Sequence, residues 1–174
     1  MKWVYAWRFQ PLHLWHQKII DTMIKNHGID NILLVLWSVG LPQSFVNPFN
    51  YTERKNLIRK IFPDLSIVWI ADVKTDDEWM DLLEDLIITK FWSWFKDIVF
   101  YWWSRDDTRY YQNRNLQCEI IDRFIWECWH ISASIIRERL LKAEDLSWFV
   151  DERIIQDVQK MFEKKREEIS EKIF

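Results

Sequence analysis

The 174-residue chain carries 24 Lys and Arg against 27 Asp and Glu, a net charge of −3, with 49% apolar residues. That balance suits one globular domain with its own core. It disfavours a nucleic-acid polymer as partner, because no general positive field attracts one.

Short apolar runs alternate with longer amphipathic ones, the pattern of βα units around a parallel sheet. Residues 3–6 read as a first strand. Residues 14–26 read as a helix with Leu14, Ile19, Ile20, Met23 and Ile24 on its apolar side. The run 31–36 is almost continuously apolar, as a strand covered on both faces requires. A loop with Pro42 and Pro48 leads to a helix over 52–61. A third strand over 66–71 and a third helix over 78–90 follow. Residues 97–101 and 117–121 complete about five strands. Ser132 has the character of an N-cap for a helix over 133–142.

The charged segment 151–174 forms a last helix. Its apolar Ile154, Val158, Met161, Phe162, Ile169 and Ile173 are spaced to pack on the domain edge or a sister subunit. The whole chain is expected to be one domain, with a core over 1–145 and a helical segment over 146–174. Cys118 and Cys128 are too few for a disulfide framework and suit a reducing cytosol. The N-terminus shows no secretory pattern, and the apolar runs 32–37 and 98–103 are too short to span a bilayer. A cytoplasmic, non-membrane protein is expected.

Glycine and tryptophan depart from this picture. Ordinary usage of about 7% glycine would give about 12, whereas the chain has 2 glycines and 13 tryptophans. Turns of positive φ favour glycine. Trp7, Trp15, Trp37, Trp102, Trp103 and Trp148 all occupy positions where a turn or a motif asks for it. A UGA codon read as glycine in the cell but rendered as tryptophan by another translation table produces both departures at once. On that reading these six stand for glycine, while Trp79 is native. Taken as tryptophan, each is expected to cost about 1–3 kcal/mol in overpacking, enough together to exhaust a typical stability.

The chemistry concentrates after the first strand. His13 and His16 lie three apart at a helix start and share one face. There, free N–H groups and the helix dipole favour phosphate. In an open parallel sheet this loop is also where ligands bind. Two histidines alone would be ordinary helix residues. A zinc site adding Cys128 and His130 has poor ligand spacing.

The segment 7–16 (W-R-F-Q-P-L-H-L-W-H) resembles G-R-F-Q-P-x-H-x-G-H, the signature of archaeal-type nicotinamide-mononucleotide adenylyltransferases and their bacterial relatives. Trp7 and Trp15 replace its two glycines. Residues 47–54 (N-P-F-N-Y-T-E-R) are similar to the family's N-P-F-T-x-x-E-R, and residues 131–137 (I-S-A-S-I-I-R) to I-S-x-T-x-x-R. Asp72 and Trp79 fit its nicotinamide-side loop.

The resemblance implies a Rossmann-like α/β fold and transfer of adenylate from ATP to nicotinamide mononucleotide, giving NAD and pyrophosphate. It places His13 and His16 on the ATP phosphates, Arg8 and Arg137 on phosphate oxygens, and Arg54 on the triphosphate or the second substrate's phosphate. Ser132 and Ser134 add donors, and Trp79 stacks on nicotinamide or, equally, is a core residue of the third helix. Phe9, Gln10, Asn47 and Asp72 belong to the same substrate motifs. Mg²⁺ accompanies ATP, no protein metal site is implied, and relatives often form homo-oligomers. Asp76, Asp77, Glu84 and Asp85 read as a helix start and a solvated face rather than paired acids. Two alternatives remain: a related transferase with another phosphate acceptor, and a non-catalytic module whose tryptophans stack on sugars or bases.

Overall fold

The alternating pattern is realised in a computed structural model that describes residues 1–91, 95–102, 108–121 and 130–167. Trp103, Cys128, Ile169 and Ile173, discussed above, lie outside the described residues. The elements run β1 (Lys2–Trp7), α1 (Leu14–His27), β2 (Ile32–Val39), α2 (Tyr51–Ile61), β3 (Ser66–Ala71) and α3 (Asp76–Phe91). They continue with β4 (Ile98–Trp102), α4 (Arg109–Asn113), β5 (Gln117–Ile120), α5 (Ala133–Leu141) and α6 (Glu152–Glu163). Every expected strand is present, within three residues of its expected ends.

All strand pairs are parallel, in the order β3-β2-β1-β4-β5. The chain winds outward from β1 in both directions, which makes this a doubly wound, Rossmann-like sheet. The winding reverses between β1 and β4, and the carboxyl ends of the strands there open a crevice. Alternation along β1 explains why both faces are covered. Tyr5 faces a core with Ile19, Ile58, Ile136, Ile154 and Phe162 from α1, α2, α5 and α6. Val4 and Ala6 face the other side, against Met80, Leu83 and Ile87 of α3 and Tyr111 of α4.

Local chemistry sets the helix starts. Asn50 accepts from the Glu53 backbone N–H at 3.0 Å while Glu53 accepts from the Asn50 N–H at 2.9 Å, a reciprocal capping box that begins α2 one residue earlier than expected. Ser132 caps α5 as expected, accepting from Ile135 N–H. Asp151 caps α6 and accepts from Arg153 N–H at 2.9 Å. Gly28, at φ 79°, ends α1 and returns its N–H to Ile24 O.

α6 packs on α2 of the same chain, burying Ile154, Val158 and Phe162, with Lys60–Asp157 and Lys165–Glu53 ion pairs alongside. Among the described residues no helix is long and apolar enough to cross a membrane.

At the described positions where glycine was expected, the backbone does not require it. Non-glycine residues with positive φ are Phe9, Ser38, Asn115 and Ala143, and no described tryptophan is among them. At Trp7, Trp15, Trp37, Trp102 and Trp148 the backbone therefore tolerates any residue. What an indole changes at these positions is space, not φ.

Candidate nucleotide-binding site

The turn after β1 is held from three directions. The Gln10 amide, 3% exposed, donates to Phe49 O at 2.7 Å and accepts from Phe49 N–H at 2.9 Å. Its main-chain oxygen accepts from Arg137 at 2.9 Å. Gln10 thus ties together three sequence segments separated by up to 127 residues. Phe9, fully buried, lies beneath the turn with its ring edge-on to His16, centroids 5.0 Å apart.

α1 begins at this turn, with His13 as its N-cap residue in extended conformation. The rings of His13 and His16 stack at 3.6 Å between centroids. Both line a cavity of about 570 Å³, together with Arg8, Gln10, Ser132, Ser134 and Arg137. The indoles of Trp7, Trp15 and Trp37 form the rest of its wall, with Val46, Ile131 and Ala133.

Among the described residues no carboxylate lines this cavity. Arg137 donates to Ser134 Oγ at 3.1 Å and its buried Nε finds no acceptor. Burial, and then repulsion from Arg8, push the Arg137 guanidinium down to about 10. Two like charges held together beside two helix starts attract a polyanion.

A second cavity of about 360 Å³ lies beside the first. Asp72, Lys74, Thr75, Trp79 and Tyr111 line it, together with Trp37 and Trp102. Asp72 accepts from the Ser38 N–H at 3.1 Å. Trp79 is half-buried and edge-on to Trp37, with centroids 6.4 Å apart. Trp37 lines both cavities.

The expected residues therefore fall into three groups. Arg8, Gln10, His13, His16, Ser132, Ser134 and Arg137 share the first cavity, and Asp72 and Trp79 the second. Phe9, Asn47 and Arg54 line neither. Asn47 exchanges backbone hydrogen bonds with Ser44 in a turn, while its buried side-chain Oδ1 has no hydrogen-bond partner.

Arg54, assigned above to a substrate phosphate, is only 1% exposed. Its Nη1 donates to Arg8 O and Trp37 O, both at 2.6 Å, and its Nη2 to Ser38 O at 3.2 Å. Burial pushes this guanidinium down to about 10, against the opposing pull of Asp72. Its donors clamp the carboxyl ends of β1 and β2 from beneath. Sequence reasoning did not identify Trp37 as shared wall, nor Lys74, Thr75 and Tyr111; none belongs to a motif, and only the α3 and α4 packing brings them together.

Among the described residues no three His, Cys, Asp or Glu side chains cluster to hold a metal ion. Most described indoles turn inward; Trp69 and Trp148 are the exposed ones, at 50% and 77%. An outward stacking platform is not what the described tryptophans build.

The profile of the cytidylyltransferase-like family matches residues 4–139. The chain is 24% identical to a probable nicotinate-nucleotide adenylyltransferase of Fusobacterium nucleatum, covering 91% of this chain and 97% of that protein. It is 26% identical to a nicotinamide-nucleotide adenylyltransferase of Thermoplasma volcanium, covering 88% and 83%. A phosphopantetheine adenylyltransferase of Fusobacterium nucleatum is also 26% identical, covering 89% and 92%. In fold, the chain is similar to a bifunctional NMN adenylyltransferase/ADP ribose pyrophosphatase from Francisella tularensis, solved with AMP and a manganese ion. The TM-score is 0.74 at 16% identity, covering 94% of this chain. The chain spans about half the length of that solved protein, 48%.

Proposed function

The chain belongs to the cytidylyltransferase-like family, and on that premise we propose that it is an adenylyltransferase joining ATP to nicotinamide mononucleotide. The observation that carries this reading is the first cavity. It gathers His13, His16, Arg8, Arg137, Ser132 and Ser134 with no carboxylate among them, beside a second cavity that offers Trp79 to a flat ring.

In the reaction, a 5′-phosphate oxygen of the mononucleotide attacks the α-phosphorus of ATP. The new O–P bond forms as the bond to the β-phosphate bridging oxygen breaks, and pyrophosphate leaves. No protein nucleophile is needed. Arg8 and Arg137 neutralise the triphosphate, and His13 and His16 donate hydrogen bonds to the charge that develops on the leaving group. Ser132, Ser134 and the N–H groups at the start of α5 hold its far end. Among the described residues no acidic ligand set lines the cavity, so a divalent cation would arrive with the triphosphate and would screen its charge beside Arg8 and Arg137. Asp72 and Trp79 orient the acceptor ring.

The test is NAD formation from ATP, Mg²⁺ and nicotinamide mononucleotide by the chain with Trp7, Trp15, Trp37, Trp102, Trp103 and Trp148 changed to Gly, run beside nicotinic acid mononucleotide and phosphopantetheine as competing acceptors. Product with a nicotinamide-type acceptor, lost by at least about 100-fold in His16→Ala, is expected, a transition-state donor being worth that much. A folded chain that binds ATP yet adenylylates only phosphopantetheine would remove the assigned acceptor.

A further inference from the structure

The two cavities meet at a row of indoles. Trp7 ends β1, Trp37 lies near the end of β2 and Trp102 ends β4. These are three neighbouring strands, in the order β2-β1-β4, at the point where the winding reverses. Residues far apart in sequence thus stand side by side along the carboxyl edge of the sheet. The Trp7 ring is edge-on to Trp102, with centroids 5.4 Å apart, and to His16 of the first cavity at 5.8 Å. Trp102 lies 5.5 Å from Tyr111 of the second cavity. Trp37 faces both cavities, with the Arg8 guanidinium 5.0 Å over one side and Trp79 against its edge.

Direct transfer needs the attacking oxygen and the α-phosphorus within about 3–3.5 Å of each other. A site that performs it must be one crevice, continuous from the triphosphate end to the acceptor ring. An indole row across the middle is the opposite arrangement. The buried indole N–H groups of Trp37, Trp79 and Trp102 find no hydrogen-bond acceptor, which is costly and is not what a settled core would keep.

Building on the adenylyltransferase reading, we propose that Trp7, Trp37 and Trp102 form an aromatic partition across a single two-substrate crevice. Trp37, common to both halves, is the position that decides whether a dinucleotide fits. With the indoles in place, a mononucleotide enters either half but a dinucleotide is shut out. With glycine at 37, 7 and 102, the halves join. These are three of the six positions at which glycine is expected from composition and motif. Their convergence on one row in space is an observation the sequence does not contain.

The experiment compares the full chain with Trp37→Gly and with the triple change of Trp7, Trp37 and Trp102 to Gly. Dissociation constants for ATP and for NAD are measured by calorimetry, with thermal unfolding as a check on folding. The ratio of NAD to ATP affinity is expected to rise at least 10-fold in Trp37→Gly, and further in the triple variant. Trp37→Phe retains a ring in the wall and is expected to stay within threefold of the parent ratio. Should a glycine variant fail to fold, Trp37→Ala reads the same ratio. An unchanged ratio in a folded variant overturns the partition.

Failure of the acceptor assignment looks different. Adenylylated phosphopantetheine, measured alongside, would then show the gain in place of NAD. If no spanning ligand gains affinity while ATP still binds, the partition is wrong whatever the acceptor.

Discussion

Replacing Arg54 by Met tests the reading of this residue as a clamp rather than a phosphate ligand. Met roughly preserves the aliphatic volume and deletes the donors to Arg8 O, Trp37 O and Ser38 O. Hydrogen bonds from a charged donor contribute about 1.5–3 kcal/mol each, so the two at 2.6 Å supply roughly 3–6 kcal/mol. Releasing a cation from desolvation offsets part of this, leaving an expected net loss of about 3 kcal/mol.

In a domain of this size that lowers Tm by about 6–12 °C. Urea unfolding with an unchanged m-value is the measure. The loss should not vary between pH 6 and 9. A guanidinium pushed down to about 10 when folded, below its ordinary value, is protonated in both states at those pH values. Above about 10 and up to the ordinary guanidinium value the unfolded chain binds more protons, so only there does this group make stability rise with pH. Arg54→Lys keeps a charge but not the fork and is expected to lose most of the same stability. An Arg54→Met chain as stable as its parent, with ATP affinity down 100-fold, would refute the clamp and restore the phosphate role.

Three further outcomes are expected. Gln10→Ala orphans the buried N–H of Phe49 and should cost about 2–4 kcal/mol by urea unfolding, because one side chain bridges two motifs. Asp151→Ala removes the α6 cap and should cost about 1 kcal/mol at pH 7. Since Arg153 holds the Asp151 carboxyl down at about 2 from 3.8, the advantage of Asp over Ala is complete above 3.8 and disappears as pH falls through that window, which acid-unfolding curves of the two chains will show. Sequencing the gene should find UGA at Trp7, Trp15, Trp37, Trp102, Trp103 and Trp148 and UGG at Trp79; UGG throughout removes the glycine reading.

Apolar spacing by itself determined the order of strands and helices, because burial on one or both faces leaves a local period that can be read along the chain. It also marked Ser132 as a cap, since capping uses a side chain and an N–H three residues apart. His13 and His16 were legible for the same reason: one helical turn brings them together whatever the rest of the chain does.

The bonds of Arg54 to the strand ends were not legible. An arginine followed by ordinary helix residues looks the same whether it points to solvent, to phosphate or beneath a sheet edge; only the fold of β1 and β2 over it decided. The Gln10 bridge likewise spans separations of 39 and 127 residues. Asp72 and Trp79 were singled out by motif, yet their division from His13 and His16 was not, because the wall consists of residues from three strands. Local interactions write themselves into the sequence as short spacings. Contacts between distant segments depend on strand order and on which face each residue takes, and those are settled when the two halves of the sheet wind outward from β1.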